Sequence, residues 1–510
     1  MRLPASRFAI RSPLTSLVPA LGTVLLAACL CSASAQTALV VEDPYREAFR
    51  PQIHFSPREK WMNDPNGLVY VHGVYHLFFQ YYPHGTTWGP MHWGHATSRD
   101  LLHWRQQPIA LYPDSLGYIF SGSAVVDSNN TSGFGRNGKI PLVAIFTHHD
   151  PEGEKKGASN YQNESIAYSL DEGKTWVKYR HNPVLKNPGI KDFRDPKVIW
   201  YAPGNKWVMS LATKDRISFF SSADLKNWKK ESEFGADKGA HGGVWECPDL
   251  FPLTFDGKTW WVLFVSINPG GPNGGSGTQY FIGQFDGSRF TPADEQTKWI
   301  DYGPDDYAGV TWSNTGNRRI FLGWMSNWNY ANEVPTRSWR NAMTLPRELR
   351  LRKEDNTVFL CSQPVKELNA LKLHPPAALP DSGASQYIAG FRADATKDFS
   401  IVLSNAAGES LTIGFDKASD RYYIDRRHAG LAAFHQGFAA TSYAPRLTRD
   451  SKATLTLVVD AASAELFADG GLTVMTSIFF PAKPLGRISL HSASPDGIRQ
   501  VSWSELKSIW

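Results

Sequence analysis

Between about Asp43 and Leu351 the chain offers almost no run with a helical period. Short apolar runs alternate with clusters of Gly, Asn, Asp and Pro, and that pattern restricts this region to all-β architectures. Five runs are strongly apolar: Tyr75–Gln80, Leu142–Phe146, Trp207–Leu211, Trp260–Phe264 and Arg319–Trp324. They recur at roughly 50 to 70 residues, within reach of four-stranded blades once loops are added. Ahead of each stands a second short strand with polar residues at its start, near Asn63-Asp64, Ser121-Gly122, Arg194-Asp195, Glu246 and Asp306-Tyr307. As the innermost strands of a five-bladed β-propeller over residues 43–351, these would bring their leading ends to one central mouth. A weaker echo agrees with the repeat: Ser98-Arg99-Asp100-Leu101-Leu102-His103-Trp104 is matched by Ser222-Ala223-Asp224-Leu225-Lys226-Asn227-Trp228, read as a structural hairpin.

Around Glu354 the pattern breaks. A short helix-prone Val365-Lys366-Glu367-Leu368 and a Pro/Ala-rich stretch suggest a linker over 352–380. Alternating strands such as Phe399–Leu403, Leu411–Phe415, Thr454–Val459 and Arg487–Leu490 then suggest a β-sandwich over 381–510. Its polar set Asp425-Arg426 and Asp460…Glu465-Leu466-Phe467 reads as hairpin and packing residues, with carbohydrate binding as the alternative role for the domain.

Residues 1–35 read as an export signal: Arg2, Arg7 and Arg11, an apolar run from about Leu14 to Leu30, then Ala33-Ser34-Ala35 as a cleavage site. Leu26-Ala27-Ala28-Cys29 is a competing lipoprotein-type cut, which would tie the protein to a membrane through Cys29. Either route exports the chain. Cleavage after Ala35 leaves Cys247 and Cys361, too few for a disulfide framework, and Cys247 is expected as a reduced, buried thiol. The formal charge is +5 with no basic tract, which argues against a nucleic-acid partner, and no protein partner is implied. The 18 Trp, 19 Tyr and 28 Phe favour strands and flat platforms on which sugar rings stack.

Three carboxylates stand at the starts of inner strands. Trp61–Gly67 reads W-M-N-D-P-N-G, Phe193–Pro196 reads F-R-D-P, and Trp245–Pro248 reads W-E-C-P. Each alone is an ordinary turn; together Asp64, Asp195 and Glu246 occupy equivalent places in three blades. Acids around an aromatic pocket point to glycosyl transfer, one protonating the leaving oxygen while another attacks or activates water. Metal binding competes weakly: His92, His95, His148 and His149 are nearby in sequence, but no H-E-x-x-H or C-x-x-C accompanies them. Asp64, in a tight turn beside backbone N–H groups, is expected to stay ionised as a nucleophile. Glu246, between Trp245 and Cys247, is expected to hold a proton as the acid. Asp195, after Arg194, is expected to stay anionic, grip hydroxyls and stabilise charge on the ring.

These motifs, in this order and spacing, resemble glycoside hydrolase family 32, the invertase, inulinase and levanase family. The likeness extends to Phe79-Gln80-Tyr81-Tyr82-Pro83, Trp88-Gly89, Phe120-Ser121-Gly122, Trp328-Asn329-Tyr330 and Asp460-x-x-Ser463-x-Glu465. The resemblance implies a five-bladed propeller plus β-sandwich and a retaining double displacement through a covalent fructosyl-enzyme, with no cofactor or metal. It implies Asp64 as nucleophile, Glu246 as acid/base, Asp195 as transition-state stabiliser, and sugar contacts from Asn63, Gln80, Trp88, Phe120, Ser121, Arg194 and Trp328. The substrate implied is a fructan or sucrose, cleaved in exo mode by a secreted enzyme. A fructosyltransferase, an inverting arabinan-type hydrolase and a non-catalytic glycan-binding propeller are the competing readings.

Overall fold

A computed structural model describes residues 44–373, 384–494 and 496–510. The leader, with Cys29, and the Pro/Ala-rich residues 374–380 lie outside them. The described chain is nearly all strand, its helical content being one α-helix, Pro151–Lys155, and two 3-10 turns, Ala202–Gly204 and Lys366–Leu371.

Residues 60–364 form five antiparallel sheets, each built outward from an inner strand: Lys60–Val71, Tyr118–Val126, Phe193–Tyr201, Val244–Phe255 and Tyr307–Thr311. All five apolar runs are the second strands of these sheets. Such strands are covered on both faces by neighbouring sheets; Leu142–His149 is buried throughout, so a continuous apolar run is what the position requires. The inner strands pack on one another in sequence order, and the fifth packs on the first. Trp339–Arg340 adds in parallel beside Lys60-Trp61 and helps close the ring.

Each inner strand carries one extra residue at the same depth. Met62 to Pro65 spans Tyr81 to Phe79, Ile119 to Gly122 spans His148 to Phe146, and Arg194 to Lys197 spans Ala212 to Ser210. Glu246 to Asp249 spans Ser266 to Phe264, and Tyr307 to Val310 spans Trp324 to Leu322. These are β-bulges, which bend a strand and re-aim its side chains. Asp195 (φ 65°), Cys247 (φ 45°) and Ala308 (φ 53°) adopt left-handed backbone in the last three. The expected tight turn at Asp64-Pro65-Asn66-Gly67 is therefore a bulged stretch of continuous strand. Gly67 (φ 57°) is required there, since a Cβ would lie 2.7 Å from the Phe78 ring and 2.8 Å from Trp93.

The expected start of a linker at 352 is corrected: Arg347–Glu354 and Thr357–Pro364 form the outer hairpin of the fifth sheet. Its charged residues mark a partly exposed edge, and Asp355 (φ 51°) makes the turn. The S-x-D-L-x-x-W echo is a structural turn, with Asp100 and Asp224 accepting backbone N–H groups and each Trp ring donating to a carbonyl three residues back. Ser169…Trp176 builds the same turn in the second sheet with one residue more, which hid it from pattern matching.

Beyond residue 384, two five-stranded antiparallel sheets face each other across one core. Alternation does this directly: Phe399, Ile401 and Leu403 are buried, while Ser400, Val402 and Ser404 are not. Asp460 and Glu465 do more than pack. Asp460 accepts from the backbone N–H groups of Gln52 and Ile53 and meets His54 Nδ1 at 2.7 Å. His54 Nε2 is 2.7 Å from Glu465, whose other oxygen pairs with Arg347, and Arg347 reaches Asp301 and Asp306 at 2.9 Å. Arg426 likewise crosses to Asp305 at 2.7 Å. Buried charges welded this way hold the sandwich against the ring of sheets.

Burial alone would depress the His54 imidazole, but Asp460 and Glu465 lift it to about 9. Burial would raise Glu465, but Arg347 and His54 bring it down to about 2. The stabilisation is complete between the ordinary values of 4.5 and 6.5. The His54 part is lost as pH rises through its folded value, and the Glu465 part as pH falls through its own. His54→Gln is expected to destabilise the fold by about 3–5 kcal/mol near neutrality. The deficit should be largest at about pH 6 and narrow towards about pH 9; thermal melts across that range check it, and a pH-independent deficit would exclude a charged His54.

Candidate active site

The bulged ends of the inner strands open on one cavity, lined by Asn63, Asp64, Gln80, Trp88, Phe120, Ser121, Arg194, Asp195, Glu246 and Trp328. Every residue nominated from the sequence thus faces the same space. The three acids, however, do not occupy equivalent positions. Asp64 is the second residue of its bulge, Asp195 the first, and Glu246 stands one step before its bulge. Neighbouring sheets therefore present carboxylates that approach one another from different directions.

Asp64 Oδ2 accepts from Ser121 Oγ at 2.7 Å and Oδ1 from Asn63 Nδ2 at 3.0 Å. The Cys247 thiol lies 3.5 Å from Asp64 Oδ2 and 3.5 Å from Asp195 Oδ2, so one sulfur spans the two aspartates. Asp195 Oδ2 also accepts the Cys247 backbone N–H at 3.0 Å, while its own N–H donates to Thr147 Oγ1. Cys247 is free and buried, as expected.

Arg194 is aimed differently from the sequence expectation. Its Nε and Nη2 lie 3.1 and 2.9 Å from Glu246 Oε1, and Nη1 lies 2.8 Å from Asp192. Asp195 is nonetheless raised: burial pushes it up to about 7, Arg194 opposes this, and Glu246 and Asp64 reinforce it. Asp64 is also raised, by burial and then by Glu246, against the pull of Ser121 and Asn63. The expectation for Glu246 placed Trp245 and Cys247 around its carboxyl. Alternation sends Trp245 elsewhere, its Nε1 donating to Ala240 O, and the Cys247 thiol turns to the aspartates, so the oxygens of Glu246 meet Arg194 and the Tyr307 hydroxyl.

His149, Glu154, Tyr161, Gln162 and Asp192 complete the wall; the sequence reading weighs His149 only as a metal ligand and misses the other four. These five lie at second-sheet strand ends, in the short helix Pro151–Lys155 and in the loop leading into the third inner strand, where side-chain direction depends on chain path. His149 is stacked on Phe120 with ring centroids 4.3 Å apart. Trp328 lies against Trp61 and Trp324, and Ser276 from a Gly-rich loop accepts its backbone N–H.

A family model described as the glycosyl hydrolases family 32 N-terminal domain matches residues 54–364, and the corresponding C-terminal model matches 347–507. This chain belongs to glycoside hydrolase family 32. A levanase from Bacillus subtilis (strain 168) is 45% identical over 492 residues, 91% of this chain and 72% of that protein. An invertase from Schizosaccharomyces pombe is 36% identical, covering 91% of this chain and 86% of its own length. The crystal structure of an exo-inulinase from Aspergillus awamori aligns with a TM-score of 0.84 at 37% identity, over 92% of this chain and 100% of that one. This family 32 chain is a glycoside hydrolase, and its nearly all-β architecture is consistent with the family's propeller plus sandwich.

In this family 32 site the Ser121 hydroxyl favours the ionised form of Asp64. Ser121→Ala should move the acidic limb of the kcat/KM profile up by about one pH unit and leave the basic limb in place. An unmoved acidic limb would mean that Asp64 does not govern it.

Proposed function

We propose that this chain is a secreted, retaining β-fructofuranosidase that removes terminal β-D-fructosyl units from fructans, inulin or levan, and from sucrose. The observation that carries the reading is the junction of Asp64, Asp195 and Glu246 on one aromatic-walled cavity, with one thiol spanning the aspartates. Relatives named levanase, invertase and exo-inulinase support the substrate class and the exo mode. An Arg-rich, apolar leader over 1–35 supports export; among the described residues no helix is long and apolar enough to cross a membrane. The closed succession of inner strands supports five blades, and the outer hairpin running to Pro364 supports that residue as the end of the domain.

In the first half-reaction Glu246 gives its proton to the glycosidic oxygen as the C2–O bond breaks, and Asp64 forms a bond to C2. Positive charge on the ring is greatest between those events, and Asp195, at the side of the cavity, stabilises it and holds hydroxyls. In the second half-reaction water gives a proton to Glu246 and its oxygen replaces Asp64 on C2, so configuration is retained after two inversions. Asn63, Gln80, Ser121 and Arg194 supply polar contacts to the fructose unit, and Trp88, Phe120 and Trp328 supply its apolar walls. Retention requires the Asp64 and Glu246 carboxyls to be about 5 to 5.5 Å apart.

Incubation with sucrose, inulin and levan is expected to release free fructose without short oligomers, and the first product formed should be the β anomer. Asp64→Ala and Glu246→Ala should each lower turnover by roughly 10³-fold or more. Near-normal turnover in either variant, or an α product, would refute the mechanism.

A further inference from the structure

Tyr307 stands one step before the bulge of the fifth inner strand, the place held by Arg194 in the third and Glu246 in the fourth. Those three equivalent side chains touch in series. Tyr307 is 1% exposed, packed with Trp61, Trp324, Cys247 and Ala308, and its hydroxyl donates to Glu246 Oε2. Arg194 occupies the other oxygen, Oε1, through two N–H groups. A buried tyrosine hydroxyl must find some acceptor, and a purely structural partner would satisfy it. Here the acceptor is the carboxyl group assigned to proton transfer, gripped on both oxygens by donors from the two flanking sheets.

We propose that Tyr307 is a positioning residue for proton transfer at Glu246, fixing Oε2 and stabilising the carboxylate that appears when the proton leaves for the glycosidic oxygen. This inference rests on the acid/base role given to Glu246 above. Glu246 is faced by Arg194 and Asp195 from the third sheet, Asp64 from the first, Cys247 from its own strand and Tyr307 from the fifth. Arg194 and Tyr307 are the donors to its oxygens; the aspartates repel its charged form. Tyr307 keeps its own proton, because burial and then the Glu246 charge hold the phenol well above its ordinary range. It therefore remains a donor in both half-reactions, strengthening Glu246 as an acid in the first and holding its carboxylate oriented as the base in the second, without itself titrating.

Tyr307→Phe tests this with little change in volume. Loss of a donor to the carboxylate should move the basic limb of kcat/KM up by about one pH unit and leave the acidic limb in place. On sucrose kcat should fall about 10- to 100-fold. On 4-nitrophenyl β-D-fructofuranoside, whose leaving group needs little protonation, the loss should be several-fold smaller. Unmoved limbs, or equal losses on the two substrates with or without a lowered Tm, would reduce Tyr307 to a packing residue and overturn the proposal. A parent chain that releases no fructose from either substrate would overturn the fructosidase reading itself, a result distinct from an active parent with an indifferent Phe variant.

Discussion

A strand with one more residue than its partner cannot keep every side chain in register, and in all five inner strands that mismatch falls at the same depth. Below it the inner strands pack into a common centre, with regular pairing in all but the first, which is interrupted again between Asn66 and Val69. Above it, the extra residue turns side chains that would have pointed into neighbouring sheets towards the mouth. Much of the cavity wall sits within or beside these interruptions: Asn63 and Asp64, Phe120 and Ser121, Arg194 and Asp195, and Glu246. Left-handed backbone at Asp195 and Cys247 costs about 1–3 kcal/mol each, and it persists because hydrogen bonds across sheets over-determine it.

Placement in different bulge positions has an electrostatic result. Asp64, Asp195, Glu246 and Asp192 share a small space with one guanidinium, Arg194, which is committed to Glu246 and Asp192. The aspartates beneath are left with hydroxyl, amide and thiol donors, so burial and mutual repulsion push them up. The carboxylates are thereby differentiated by position within the bulge rather than by residue type: Glu246 takes the guanidinium and the Tyr307 hydroxyl, the aspartates the weaker donors.

Much of this was legible in the sequence, for identifiable reasons. Second strands buried on both faces leave continuous apolar runs, and Asp-Pro and Glu-Cys-Pro punctuation marks the ends of inner strands, so the sheets and the convergence of Asp64, Asp195 and Glu246 could be read. Register could not. A bulge shifts residues by one without altering composition, which is why Asp64 looked like a turn residue and why the three acids looked equivalent. Spatial neighbours were equally hidden: Trp245 and Cys247 flank Glu246 along the chain, yet Arg194 and Tyr307 surround its oxygens. The fifth sheet's outer hairpin was mistaken for a linker because its edge carries charged residues.

The relay from Asp460 through His54 and Glu465 to Arg347, Asp301 and Asp306 joins the segment leading into the first inner strand, the approach to the fifth, and the sandwich. First and last members of a closed circle are thus clasped by a domain none of whose described residues lines the cavity. A chain ending after Pro364 would keep Arg347 and His54 while losing Asp460 and Glu465, taking both carboxylates from His54 and letting the circle gape where it is fastened. The C-terminal lobe is better regarded as the buckle of the catalytic ring than as an appendage, which makes shuffling the two lobes between unrelated proteins a costly evolutionary route.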